Sequence, residues 1–215
     1  MNEKEKTVLL SVPNISGNEL KYVKECLETG WISSAGSYVD KFEQMVADYT
    51  GAKYGIATMN GTAALHIALL LAGVKPKDYV VVSNMTFVAS ANSIKYTGAD
   101  PILIDADPKT WQMDLDLLDE FLDNKTSVNS KGERILISDG RCVRTIMPVH
   151  IQGNIFDVDR FKVICEKYNM SFVEDAAEAL GSKFKGQSAG TFKKLGVFSF
   201  NGNKIISTGG GGVIV

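Results

Sequence analysis

Lys204 stands at the end of Ser199-Phe200-Asn201-Gly202-Asn203-Lys204, with Thr208 and the run Gly209 to Gly212 close behind. A lysine between polar, glycine-rich turns is commonly a surface residue. As a nucleophile it needs an unprotonated amine and a partner carbonyl, which a Schiff base with an aldehyde cofactor supplies. Asp175 closes the buried-type run Phe172-Val173-Glu174-Asp175 and is followed by Ala176-Ala177. Such a carboxylate could pair with a cationic ligand, cap the next helix or bind a metal. No histidine or cysteine lies nearby in sequence to complete a metal site. Asn60-Gly61-Thr62 reads as a strand-to-helix turn. It is either a tight turn with a capping threonine or a helix start whose amides and dipole favour a phosphate.

These groups need a frame that brings them together. In open α/β sheets ligands collect at the carboxyl ends of the strands, and all three stretches follow apolar, strand-like runs. Strands are expected at Tyr54 to Thr58, Tyr79 to Ser83, Pro101 to Asp105, Arg144 to Val149 and Ser171 to Glu174, with a further apolar run at Val197-Phe198. Helical spacing falls between them at 61–72, 86–97, 114–122 and 157–168, the last capped by Asp157 with Val158, Phe161, Cys165 and Tyr168 inside. This alternation predicts an α/β fold with a mostly parallel sheet and helices on both faces. The polar stretch Asn124 to Arg141 reads as a surface excursion or hairpin. Upstream, Ser16 and Glu19 suggest a capping box for a helix with Leu20, Val23 and Leu27 on one face, ending at Gly30. A second helix would align Val39, Phe42, Val46 and Tyr49 and close at Gly51.

Bulk properties narrow the function classes. The chain has 215 residues, 45% of them hydrophobic, enough for a large core, and a formal net charge of −2. That charge gives no electrostatic case for nucleic acid or an anionic membrane. The charged residues 2 to 6 read as a solvated tail. Cys26, Cys142 and Cys165 form no CxxC pair, and His66 and His150 are the only histidines. A disulfide framework and a metal site are therefore not expected, and His66, on an apolar helix, reads as structural. No stretch approaches the roughly 18 apolar residues of a membrane span. A cytoplasmic protein is expected. GxxxxGK[ST] and GxGxxG are both absent, which weakens a nucleotide-binding reading. The strand-like end Val213-Ile214-Val215 suggests the N-terminal portion of a longer polypeptide.

Taken in order, Gly30-Trp31-Ile32-Ser33, Asn60-Gly61-Thr62-Ala63-Ala64-Leu65, Thr86-Phe87-Val88-Ala89, Glu174-Asp175-Ala176-Ala177 and Ser199 to Lys204 resemble the DegT/StrS family of nucleotide-sugar aminotransferases. The resemblance covers nearly the whole chain. It implies the large domain of a fold-type I enzyme dependent on pyridoxal 5'-phosphate (PLP). Residues 1–53 would be an N-terminal helical segment packed on a PLP-binding domain of residues 54–215, with a small C-terminal domain missing. Lys204 would carry the cofactor and shuttle a proton, and Asp175 would hold the pyridine nitrogen protonated. Gly61, Thr62 and Ser199 would grip the phosphate, and Phe87 would stack on the ring unless it is a plain core residue. Many members have glutamine where this chain has Glu178, beside the ring hydroxyl; glutamate occurs in relatives that make 4-amino sugars. His150 matches a position close to the active site or is a satisfied core histidine, and Trp31 and Ser33 are candidate substrate contacts.

The activity so implied is transamination from an amino acid, glutamate in most of the family, to the 4-keto group of a nucleotide-linked 6-deoxy sugar. The stretch Val12 to Gly17 and the segment Gly30 to Tyr38 look most like the branch acting on UDP-linked 2-acetamido-4-keto sugars in bacillosamine and legionaminic acid synthesis. A homodimer with shared active sites is expected. The rivals are a sugar dehydratase of the same family, which has histidine in place of the lysine, and a non-catalytic binding or regulatory module, which predicts loss of Lys204 or Asp175.

Overall fold

A computed structural model describes residues 12–215; the charged stretch 2–6 lies outside the described residues. Two helices come first, α1 (Glu19–Thr29) and α2 (Ser37–Thr50). Then follow β1 (Ile56–Thr58), α3 (Gly61–Leu71), β2 (Tyr79–Ser83), α4 (Val88–Tyr96) and β3 (Asp100–Ile104). α5 (Leu115–Asn124) leads into a hairpin of β4 (Thr126–Val128) and β5 (Arg134–Leu136), and then β6 (Val143–Met147). A short 3-10 turn (Ile151–Gly153) and α6 (Val158–Lys167) precede β7 (Ser171–Phe172) and β8 (Glu174–Asp175). A second hairpin, β9 (Lys183–Phe184) with β10 (Gln187–Ser188), comes before β11 (Gly196–Ser199) and β12 (Gly212–Ile214).

The strand order is β3-β2-β6-β7 on one side and β8-β11-β12-β1 on the other. β7 and β8 are successive segments of one extended stretch. Across it the Val173 amide donates to the Ile146 carbonyl, and the Asp175 amide to that of Pro148. One mixed sheet therefore runs through the molecule. Its neighbours are parallel except around β12, which lies antiparallel to both β11 and β1.

Burial alternates along these strands as a doubly covered sheet requires. Val80, Val82, Met147, Val173, Val197 and Ile214 pack on one face with Ala64, Leu65, Ala68 and Leu69 of α3 and Ile94 of α4. Val81, Ile146, Phe172, Phe198 and Val213 turn to the other face, against Leu118 and Leu122 of α5 and Phe161 and Ile164 of α6. Each fully buried Val, Leu, Ile or Phe contributes about 1.5–3 kcal/mol, so both faces hold the strand ends rigidly. The expected mostly parallel sheet with helices on both faces is the one observed. The 124–141 excursion forms the β4–β5 hairpin, and Asp157 caps α6 by accepting from the Arg160 amide.

Four local expectations are corrected. Helix α1 begins at Glu19, which puts that glutamate too early to complete a capping box with Ser16; its carboxylate takes the Gly17 amide at 2.9 Å instead. The face carrying Leu20, Val23 and Leu27 is exposed, because α1 buries no residue in this chain. In α2 the buried stripe continues from Val46 to Thr50 at i+4, which leaves Tyr49 at the rim and exposed. β1 starts at Ile56 rather than Tyr54, since β12 supplies only Ile214, Val213 and Gly212 as partners. No helix among the described residues is long and apolar enough to cross a membrane.

Candidate active site

Helix α3, the start of α4, the β6 and β8 ends and the loop after β11 converge on a cavity of about 290 Å³. Its wall includes Gly61, Thr62, Phe87, Asp175, Glu178, Ser199 and Lys204, together with His150. The sheet brings these together because each follows the carboxyl end of a strand or opens the next helix, where backbone amides and polar side chains escape the apolar core.

Asn60 rather than Thr62 caps α3, its side chain accepting from the Ala63 amide at 2.8 Å. A helix start leaves amide donors without intrahelical partners and carries partial positive charge. Gly61 sits so close to Ser199 that a Cβ there would lie 2.9 Å from the Ser199 Cβ. Gly212 of β12 presses on the same peptide, where a Cβ would lie 2.5 Å from the Asn60 carbonyl carbon. These two glycines set the Ser199 hydroxyl beside the first turn of α3, a cradle suited to a phosphate.

Asp175 is 4% exposed. Its carboxylate accepts from the Ser90 hydroxyl at 2.6 Å and from the Ala177 amide at 3.2 Å. Ser90 is in turn 2.6 Å from the Thr86 hydroxyl, one helical turn back. Burial pushes the Asp175 carboxyl above the usual carboxylate range, and the Ser90 and Ala177 bonds oppose that only in part. No helix follows it, so helix capping is not its role.

Lys204 is not a surface lysine: its side chain is 13% exposed, and Nζ lies 3.0 Å from Glu178 Oε1. The loop that carries it is closed by the Phe200 amide bonding to the Gly211 carbonyl and the Thr208 amide bonding to Phe200. Phe200 itself is buried and meets Phe42 of α2 edge-on at 4.9 Å, which anchors the loop. Glu178 accepts from the Gln152 amide at 2.8 Å. Burial would raise its carboxyl, but that amide and the Lys204 ammonium outweigh it and hold the group below the usual range. Gln152 adopts a left-handed backbone (φ 53°, ψ 25°), which costs a non-glycine residue on the order of 1–3 kcal/mol.

Phe87 is 68% exposed at the cavity rim, so it is no core phenylalanine. His150 both lines the cavity and packs in the core. Its Nε2 is 3.0 Å from Glu174 Oε2, its ring stacks on Phe156 at 5.0 Å, and Nδ1 is buried without a partner among the described residues. Trp31 and Ser33 lie elsewhere, in a depression of about 270 Å³ between α1 and α2 that also includes Cys26 and Tyr38. His66 is half-buried beside Tyr96, outside the cavity.

Sequence reasoning assigned no role to Ser90, Glu174 or Gln152. Ser90 could have been noticed through its i+4 spacing from Thr86. Gln152 acts through its backbone and leaves no compositional signal.

A family model described as the DegT/DnrJ/EryC1/StrS aminotransferase family matches residues 13–215. GDP-perosamine synthase of Caulobacter vibrioides is 42% identical over 207 residues, covering 96% of this chain and 51% of that protein. EpsN of Bacillus subtilis, provisionally described as a pyridoxal phosphate-dependent aminotransferase, is 40% identical over 98% of this chain and 51% of its own length. Among solved structures, the PLP form of Spr1654 from Streptococcus pneumoniae, provisionally described as a sugar aminotransferase, superposes with a TM-score of 0.84 at 29% identity. It covers 98% of this chain and 53% of that one. The chain thus spans about half the length of the curated relatives it matches. The fold-type I large domain and the family resemblance expected from the motifs are borne out, and the family's aminotransferases are PLP-dependent.

Proposed function

Because the chain belongs to the DegT/DnrJ/EryC1/StrS aminotransferase family, we propose that it is the cofactor-bearing part of a PLP-dependent sugar aminotransferase. The amino donor is an amino acid, glutamate, and the acceptor is the 4-keto group of a nucleotide-linked 6-deoxy sugar. The observation that carries this reading is the placing of Lys204 Nζ and the buried Asp175 carboxylate on one cavity with the Gly61–Ser199 cradle.

The residues present fit a flat, phosphorylated pyridine aldehyde. The helix start at Gly61 and Thr62, with the Ser199 hydroxyl, would hold the phosphate. Phe87 at the rim would cover one ring face. Asp175, fixed by Ser90 and deprived of water, would stand against the ring nitrogen and keep a proton there. When bound, PLP supplies an electron sink for the carbon whose amino group is exchanged. Lys204 would form the covalent attachment and carry a proton at Nζ between the sugar carbon and the cofactor's aldehyde carbon. His150, held by Glu174, shapes the wall beside Asp175.

The product serves cell-surface glycan or nonulosonic acid synthesis in this reading, in the cytoplasm, and the enzyme works as a homodimer with shared sites. The motif pattern favours a UDP-linked 2-acetamido acceptor. A GDP-linked acceptor is the second reading, favoured by relatives named GDP-perosamine synthase in Caulobacter vibrioides and Escherichia coli O157:H7, each 42% identical. Product analysis with both nucleotide sugars in parallel decides between them.

The primary test is borohydride fixation of PLP, followed by peptide mass spectrometry. Attachment at Lys204, lost in Lys204→Ala, is expected. No attachment at Lys204 at saturating cofactor would overturn the aminotransferase reading.

A further inference from the structure

Each oxygen of the buried Asp175 carboxyl has one hydrogen-bond partner among the described residues. Oδ1 accepts from the Ala177 amide at 3.2 Å, and Oδ2 from the Ser90 hydroxyl at 2.6 Å. The titratable groups that face it, His150 and Lys204, act through space and are bonded elsewhere, His150 to Glu174 and Lys204 to Glu178. Ser90 is fully buried on α4. Its hydroxyl lies 2.6 Å from that of Thr86, which is half-buried, lines the cavity and reaches the Phe87 carbonyl at 3.3 Å. Four oxygens therefore follow one another from the buried carboxyl to the cavity rim.

Burial favours the neutral acid in the cofactor-free chain, whereas a protonated ring nitrogen favours the anion. Asp175 thus meets both charge states. A hydroxyl has one proton to give and lone pairs with which to accept. An ionised Asp175 only accepts, which commits the Ser90 proton to it, and Ser90 then accepts from Thr86. A neutral Asp175 must place a proton of its own. Oδ1 already faces an N–H donor, so the proton belongs on Oδ2 and is donated to Ser90. Ser90 then turns its O–H to Thr86, and Thr86 turns its own to the Phe87 carbonyl. Each hydroxyl only rotates about its C–O bond and neither O–H bond breaks. The proton of Asp175 exchanges with solvent through the cavity.

We propose that Thr86 and Ser90 form a two-way hydroxyl relay, which satisfies Asp175 both as a neutral acid and as the anion that faces the ring nitrogen. The part played toward the cofactor rests on the aminotransferase reading; the relay in the cofactor-free chain does not. Ser90 and Thr86 are positioning residues, since they act on the cofactor through Asp175.

The test places Ser90→Ala and Thr86→Val, alone and combined, in wild type and in Asp175→Asn. The carboxamide of Asp175→Asn supplies the neutral form at every pH, donating to Ser90 while its oxygen keeps the Ala177 amide. In urea unfolding of the cofactor-free chain, Ser90→Ala should lower the folding constant about fivefold in both backgrounds, the size of one net hydrogen bond. Wild type and Ser90→Ala compared at pH values on either side of the Asp175 titration give the same contrast without Asp175→Asn. Thr86→Val, which keeps the side-chain shape, should lower the constant about two- to threefold. It should add nothing to Ser90→Ala, because its effect passes through Ser90. Thr86→Ser, which keeps the hydroxyl, should match wild type. A Ser90→Ala loss confined to the ionised form, or no loss from Thr86→Val, would overturn the relay. In fluorescence titration with PLP, Ser90→Ala should bind about tenfold more weakly. Unchanged affinity, with borohydride still fixing PLP at Lys204, would overturn the part played toward the cofactor and leave the aminotransferase reading intact. Failure of fixation in wild type would instead bring down that reading, with the relay still decided by unfolding.

Discussion

Glu174 and His150 meet through Oε2 and Nε2 at 3.0 Å with neither side chain exposed. The same carboxylate accepts the Gly190 and Phe192 amides at 2.8 and 2.7 Å. One buried group thus ties the cavity wall at His150 and the 190–192 turn to the strand that bears Asp175. Glu174→Gln keeps the shape but replaces one acceptor oxygen with a donor facing donors. A loss of about 1–3 kcal/mol, the cost of a buried polar group left unsatisfied, is expected, seen as a lower urea midpoint at unchanged slope. A loss within ~0.5 kcal/mol, the size typical of surface substitutions, would show that the turn does not depend on this carboxylate.

Asp175 should make stability depend on pH. Burial raises its carboxyl in the folded chain against the lowering effect of the Ser90 and Ala177 bonds. An acid raised on folding binds more protons folded than unfolded. Its favourable contribution is complete below the unfolded value, about 3.9, and is lost as pH rises through the folded value. Asp175→Asn removes that slope, so the variant should gain relative to wild type as pH rises through this window. Urea unfolding across the window checks it; a pH-independent difference would contradict the burial.

Gly61→Ala should weaken PLP binding about tenfold or more, ~1.4 kcal/mol, because the added methyl meets Ser199 in the cradle. Fluorescence titration with the cofactor measures this. Adding Ser199→Gly should restore stability without restoring affinity, since room returns but the hydroxyl does not. Recovery of affinity in the double variant would deny Ser199 a part in phosphate binding.

Phe87→Ala separates binding from folding. With its ring exposed, the melting transition should stay within ~0.5 kcal/mol of wild type. PLP affinity should fall by ~0.5–1.5 kcal/mol, or roughly two- to tenfold. A destabilised variant with unchanged affinity would reverse the assignment.

The residues explain what sequence could tell. β2 and α6 are legible because Val80, Val81 and Val82 are apolar on both faces and Asp157 caps a regular 3.6-residue pattern. Lys204, Asp175, Gly61, Phe87 and Ser199 were readable as candidates, and the structure gathers them on one cavity. Trp31 and Ser33 instead line the depression between α1 and α2. The exposure of Leu20, Val23 and Leu27 was not readable either, because helical periodicity gives a face without saying whether this chain covers it. Long-range partners were hidden for a related reason. Ser90 and Asp175 lie 85 positions apart, and only the sheet makes them neighbours.

The reversed strand β12 has a consequence for synthesis. Among the described residues β1 pairs only with β12, about 160 residues further on. At ~5–20 residues per second a ribosome takes roughly ten to thirty seconds to supply that partner. Until then β1 has no strand beside it, and Gly211 and Gly212 are not yet present to press against Asn60 and Gly61. The close fit of Gly61 against Ser199 and Gly212 is therefore completed only after β12 has been made.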